Sequence, residues 1–252
     1  MIQIVKGIAP TVLTTKGVTE TQKNLADYQN GTIKFKILNS IYNHDSVKAT
    51  LEKAQHEKCC FCETKPIRSF GDVEHFRPKN AYRIKGNSAY QYPGYFWLAY
   101  SWDNLFFSCE VCNRVFKRNY FPIEDETTRA PLNNLDISNE ANLIINPQTE
   151  NPEDYIAYRA YQPYAINDNL KGKTTIELCG LKVVKSRHRT EKLRKRIKKL
   201  VDERAKYYGH MKLHYKNYTT DVDVRTLFAN AVKPSAQWSL MIKCALKDNF
   251  KY

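Results

Sequence analysis

Cys59-Cys60-Phe61-Cys62 and Cys109-Glu110-Val111-Cys112 frame the stretch on which the fold of this chain turns, and between them lie Val73-Glu74-His75-Phe76-Arg77-Pro78 and Trp102-Asp103-Asn104-Leu105. Each Cys-x-x-Cys bends the backbone so that two sulfurs face one point. Two such knuckles supply the four thiolates of a tetrahedral structural zinc site. Cys60 competes with Cys59 for the first position, but pairing it with Cys62 leaves only one residue between ligands, a tighter geometry, so Cys59, Cys62, Cys109 and Cys112 are the expected ligands. Cys60, Cys179 and Cys244 are then packing thiols. A zinc-stapled module is thus expected between about Cys59 and Pro122.

The rest of the chain is read outward from this module. It has 252 residues, 42% of them hydrophobic, enough to build a core without disulfides. The seven cysteines are an odd count at paired short spacings, which favours metal over disulfides in a reducing compartment. There is no run of 18 apolar residues, and Met1 to Lys6 lacks the apolar core of a secretory signal, so the expected address is the cytosol, with no membrane partner. Lys and Arg outnumber Asp and Glu by 40 to 26, a net charge of +14, which attracts polyphosphate or an anionic membrane surface and alone decides for neither.

Thr19 to Gln55 reads as helical, with Gly31 as a break and Leu38, Ile41, Tyr42 and Leu51 on the core side. Tyr95 to Trp102 is an aromatic run read as core rather than as a base-stacking platform. Residues 123–165 are rich in acids and prolines, yet Leu143-Ile144-Ile145 wants burial, so this segment is expected to be an irregular connector that packs. Residues 172–216 read as helical; Leu193, Ile197, Leu200 and Val201 form its buried stripe, and twelve Lys or Arg stand against three acids between Lys182 and Lys206. One or two short helices are expected around Leu227, Phe228, Trp238, Leu240 and Ile242. The domain reading is a helical lead-in at 1–56, the zinc-stapled module at 57–123, and a connector with a basic helical region at 124–252. His44, His56, His188, His210 and His214 read as ordinary core or surface histidines.

The order of Cys-x-x-Cys, an acid and His, Asn-Leu, and Cys-x-x-Cys followed by Asn and Lys resembles the HNH endonuclease family. The longer string Cys59 to Glu63, Val73 to Lys79, Tyr95 to Asn104, Ser108 to Asn113 and Phe121-Pro122 is similar to the HNH nuclease component of Septu and related retron anti-phage systems. The resemblance implies an α+β protein in which a small ββα-metal core with the four-cysteine zinc site is embedded among helices. It implies His75 as general base, Glu74 and Asn113 as ligands of a catalytic Mg2+ or Mn2+, and Asn104 as the residue that holds the loop. Asn113 stands where the family more usually has a final His. An amide oxygen is a hard neutral donor that binds more weakly than imidazole, so the site is either a working variant or one that has lost metal affinity. Arg77, Lys79, Lys117 and Arg118 are candidates for flanking phosphates, with a solvated basic rim as the other reading. The substrate implied is DNA, with RNA as an alternative, and the partner implied is an SMC-like or ABC-type ATPase. The competing class is a zinc-ribbon module that binds nucleic acid or docks a partner without catalysis.

Overall fold

After an opening extended segment the chain turns helical at Pro10, whose carbonyl accepts from the Leu13 amide at 2.9 Å. A wide π-helical turn, Leu13–Gly17, runs straight into α1, Val18–Gln29. Gly17 is needed there, because a Cβ would lie 2.9 Å from Tyr100 Cβ. The helix ends at Gly31, which takes φ +87°, a conformation that disfavours other residues. The expected helix over Thr19 to Gln55 is therefore in pieces. The Gly31 break falls as expected, but 30–38 leaves the helical path to stack Phe35 on Phe96 with centroids 4.0 Å apart. Two helices follow, α2 (Asn39–Tyr42) and α3 (Asp45–Ala54), the latter capped by His44 Nδ1, which accepts from the Ser46 amide at 3.2 Å. The computed structural model describes residues 1–65, 71–84, 88–182 and 191–252, with the side chains of 192–194 outside the description. The expectations for His188, Leu193 and the basic run at 183–190 lie outside the described residues.

Strand β1 (Gly71–His75) pairs antiparallel with β2 (Leu105–Cys109), Gly71 opposite Cys109 and His75 opposite Leu105. Gly71 has no alternative, since a Cβ would lie 1.9 Å from the Phe107 ring. Val73, Leu105 and Phe107 pack with Leu13, Ile41, Val47 and Leu51, so the N-terminal helices cover one side of the ribbon. Burial of each such side chain is worth about 1.5–3 kcal/mol. The free edge of β2 is closed by a side chain: Gln55 Nε2 donates to Phe107 O at 2.7 Å and Gln55 Oε1 accepts from Phe107 N at 2.8 Å. That pairing satisfies groups that an open edge would leave exposed. A short π-helical segment, Val111–Lys117, follows β2.

Beyond it the connector packs, with Ile144 and Ile145 fully buried and Leu143 partly so. It also contains a hairpin absent from the sequence reading, β3 (Ile156–Arg159) with β4 (Gln162–Ala165). Its turn places Ala160 at φ +51°, where sequence reasoning looks for Gly, Asn or Asp. The expected helical stretch at 172–216 is α4 (Leu170–Leu178) and α5 (Glu191–Tyr215). Ile197 and Val201 of α5 pack on Phe116, as the stripe required, with Leu200 half-buried. The tail forms α6 (Val222–Ala231) and α7 (Ser239–Lys247), both within the expected region. The architecture is α+β, helices with two small sheets, and no described helix is long and apolar enough to cross a membrane.

One buried carboxylate ties the connector to the central ribbon. Glu140 Oε2 accepts from Arg77 Nε at 3.0 Å, while Oε1 accepts from Tyr95 OH at 2.6 Å and Ala130 N at 2.8 Å. Arg129, fully buried, donates to Tyr95 OH at 2.8 Å. Removing one partner of a buried ion pair strands the other charge. Glu140→Gln is accordingly expected to cost about 3 kcal/mol. A urea unfolding curve checks this, and a midpoint equal to that of wild type would show the pair to be dispensable.

Candidate functional site

The two knuckles meet against β2, with Cys59 Sγ 3.6 Å from Ser108 Oγ. Cys59 to Glu63 forms a tight turn, with Glu63 N bonded to Cys59 O at 3.1 Å, and Cys112 N donates to Cys109 Sγ at 3.4 Å. The Sγ atoms of Cys59, Cys62, Cys109 and Cys112 lie within 4.8 Å of one another, all buried. Cys62 and Cys109 sulfurs are 3.8 Å apart. Sulfurs about 2.3 Å from a central zinc ion form a tetrahedron with edges of about 3.8 Å, so this donor set could hold zinc. Among the described residues it is the only such gathering of His, Cys, Asp or Glu side chains. Cys60 is in the hydrophobic core and outside the quartet, as are Cys179 and Cys244.

The first knuckle is anchored by Glu63. Its carboxylate takes the Met1 ammonium at 2.8 Å, Lys58 Nζ at 3.1 Å, and Ser239 N and Oγ, both at 3.0 Å. Burial alone would raise its pKa, but the Met1 and Lys58 cations outweigh that and bring it down to about 2.

A polar cavity of about 530 Å³ is lined by Asp72, Glu74 and His75 of β1, Asn113 of the π-helical segment, and Lys79 and Arg118, with Tyr42 at one wall. His75 ends β1 and is buried. Its Nε2 is 2.9 Å from Ala99 O, and because a carbonyl only accepts, Nε2 carries the proton and Nδ1 the lone pair. Lys79 Nζ is 3.4 Å from Nδ1. Burial first, then the Lys79 and Lys117 cations, hold the imidazole well below its usual pKa, against the opposing effect of the Ala99 bond. The ring is neutral at neutral pH, and its Nδ1 acceptor meets the Lys79 ammonium.

Glu74 is buried beside it. Lys117 Nζ lies 2.5 Å from Glu74 Oε1 and donates to His75 O at 2.8 Å. That ammonium occupies Glu74 Oε1 from inside the protein. Burial raises the Glu74 pKa, opposed mainly by Lys117. A carboxylate beside an amide on the cavity wall is a set of hard oxygen donors, which fits a divalent cation.

Asn104 lies outside the cavity and braces it. Its Oδ1 accepts from Arg77 N at 2.7 Å, and its Nδ2 donates to Arg77 O at 3.0 Å and Leu98 O at 3.1 Å. Those bonds fix the turn after His75 and the turn carrying Ala99, whose carbonyl sets the imidazole. Lys6 holds the same region, donating to Trp102 O at 2.7 Å and Leu105 O at 3.0 Å; burial lowers its pKa to about 7. Asn104→Ala leaves an amide and two carbonyls without their partner and is expected to cost about 2–3 kcal/mol. Thermal melting checks the cost, and faster exchange of the Arg77 amide proton identifies its source.

The four basic candidates divide. Lys79 and Arg118 line the cavity. Arg77 is turned to Glu140 at 3.0 Å, and Lys117 is fully buried on Glu74, so neither ammonium nor guanidinium is on a solvated rim. Sequence reasoning missed Asp72, although it stands two residues before Glu74 and the period of a strand puts both on one face. Of the histidines read as ordinary, His210 and His214 are exposed on α5 with Nε2 atoms 3.2 Å apart.

No family model matches the chain, and no solved structure does. Curated proteins do. The chain is 38% identical over 167 residues to the Septu protein PtuB of Bacillus mycoides (strain KBAB4), covering 66% of this chain and 52% of the relative. It is 27% identical over 183 residues to the Septu protein PtuB of Bacillus thuringiensis, covering 72% of this chain and 54% of the relative. The chain thus spans about half the length of the curated relatives it matches. Over 66% of its own length, this chain is similar to the Septu protein PtuB.

Proposed function

We propose that this chain is the nuclease of a Septu anti-phage defence system, a metal-dependent HNH endonuclease that hydrolyses phosphodiester bonds, preferentially in DNA. The observation that carries the reading is His75: Nε2 is fixed on Ala99 O at 2.9 Å, and Nδ1 is offered to a cavity that also holds Glu74 and Asn113. On this reading β1, β2 and the Val111–Lys117 segment are the ββα-metal core, within a nuclease module at 57–123 flanked by the lead-in at 1–56 and the region at 124–252.

In the reaction His75 Nδ1 accepts a proton from water, which attacks phosphorus in line with the leaving oxygen. Glu74 and Asn113 would hold Mg2+ or Mn2+, which supplies positive charge where negative charge accumulates. Lys79 and Arg118 take flanking phosphate oxygens, and Asn104 keeps the His75 turn in place. Lys117 neutralises part of the Glu74 charge from inside the protein. The sulfur quartet holds zinc as a structural ion. The names of the relatives support the defence role, and the Septu resemblance supports an SMC-like or ABC-type ATPase as partner.

The test is incubation of the full chain, alone and with that ATPase, with supercoiled plasmid, single-stranded DNA and bulk RNA in Mg2+ or Mn2+. Metal-dependent nicking or cutting of DNA that Glu74→Gln abolishes is the expected result. Retention of nucleic acid without cleavage under every condition would overturn it and make the chain a zinc-stapled binding module.

A further inference from the structure

Asp72 has no part in the chemistry described so far, yet its carboxylate is mostly buried and both its oxygens are engaged. Arg114 grips it in a fork, Nη2 to Oδ1 at 2.5 Å and Nε to Oδ2 at 2.8 Å, and Oδ2 also accepts from Asn113 Nδ2 at 3.1 Å. The side chain of Asp72 is 15% exposed, whereas that of Arg114 is 65% exposed.

An amide has one face that donates and one that accepts, and its two orientations are nearly equal in shape. Only the orientation that turns Oδ1 to the cavity gives a hard cation a donor; the other presents N–H groups that repel it. A carboxylate in an ion pair with a guanidinium only accepts, so Asp72 Oδ2 can be approached by Nδ2 alone. No donor among the described residues engages Asn113 Oδ1. Asp72 stands on the same strand face as Glu74, and both line the cavity with Asn113. Its charge is already matched by Arg114, which suits an orienting role better than coordination.

We propose that Asp72, clamped by Arg114, is a positioning residue that locks the Asn113 amide with its oxygen toward the cavity and so makes an asparagine serviceable as a ligand for a divalent cation. The inference rests on the nuclease reading above. It explains how a weak neutral donor can work here: second-shell partners of this kind hold ligand orientation and charge.

The experiment is Mn2+ binding to the zinc-loaded full chain, read from the electron paramagnetic resonance signal of free Mn2+, with zinc content as the folding control. Asp72→Ala is expected to weaken Mn2+ binding by on the order of 10- to 100-fold. In an Asn113→Asp background the two ligand oxygens are equivalent and orientation no longer matters. There Asp72→Ala is expected to leave binding unchanged or to tighten it. Equal losses in both backgrounds would overturn the proposal, since Asp72 would then act by charge alone, and so would an unchanged affinity in the single variant. Loss of Mn2+ binding in Glu74→Gln identifies the site. Wild-type binding that ignores Glu74→Gln would overturn the nuclease reading and this inference together, whereas failure of the Asp72 comparison alone would leave that reading standing.

Discussion

With zinc in the sulfur quartet as proposed, Cys112→Ser is expected to lose the metal and abolish the cooperative unfolding transition. A hydroxyl is neither soft nor acidic enough to replace a thiolate in a sulfur cage. Structural zinc contributes about 10–16 kcal/mol in small zinc-folded peptides, and a whole domain is stable by only about 5–15 kcal/mol. The loss would also spread, because Cys59, Cys62, Cys109 and Cys112 belong to the largest hydrophobic cluster together with Ile145, Ile176 and Met241. Zinc quantitation and a circular-dichroism melt check the prediction. Cys60→Ser is the contrast: its sulfur is in the core but outside the cage, and that variant should keep the metal. A Cys112→Ser protein that lacks zinc but melts like wild type would rule out a structural metal centre.

The second large effect is on catalysis. On the proposed nuclease reading, His75→Ala is expected to lower DNA cleavage about 10²–10⁴-fold, the usual contribution of a positioned general base. The variant also leaves Ala99 O without its donor, at a cost of about 1–3 kcal/mol, so zinc content and a melting curve accompany the kinetics. Cleavage time courses at equal folded protein measure the effect. Activity within a few-fold of wild type would place the base on another side chain.

Much of this site can be read from the sequence because its chemistry is local. The knuckles are four-residue patterns, and the resemblance to HNH nucleases picks out Glu74, His75 and Asn104 between them. What spacing cannot convey is which side of a short element faces inward. Lys117 reads as one more basic residue near the motif, yet the turn that ends at Arg118, with φ +48°, leaves its stem buried and its ammonium on Glu74. Arg77 likewise finds its partner 63 residues away, in Glu140, a pairing that exists only after the connector has packed. Gln55 completes the edge of β2 from the end of α3, and no local pattern announces a side chain acting as a strand. The β3–β4 hairpin was illegible for a related reason: Ala160 takes a conformation that its residue type disfavours, imposed by the pairing on either side.

The sulfur cage has a consequence for handling the protein at the bench. With the proposed zinc bound it would close the chain between Cys62 and Cys109 into a ring, with Glu74, His75 and Asn104 all within that ring and Asn113 directly after Cys112. Chelation should therefore have two time courses. On the proposed reading, a mild chelator would remove a weakly held cation from the cavity at once, and added Mg2+ or Mn2+ would restore cleavage. Prolonged exposure to a strong chelator opens the ring, and the divalent ion alone then restores nothing until zinc has been returned and the chain refolded.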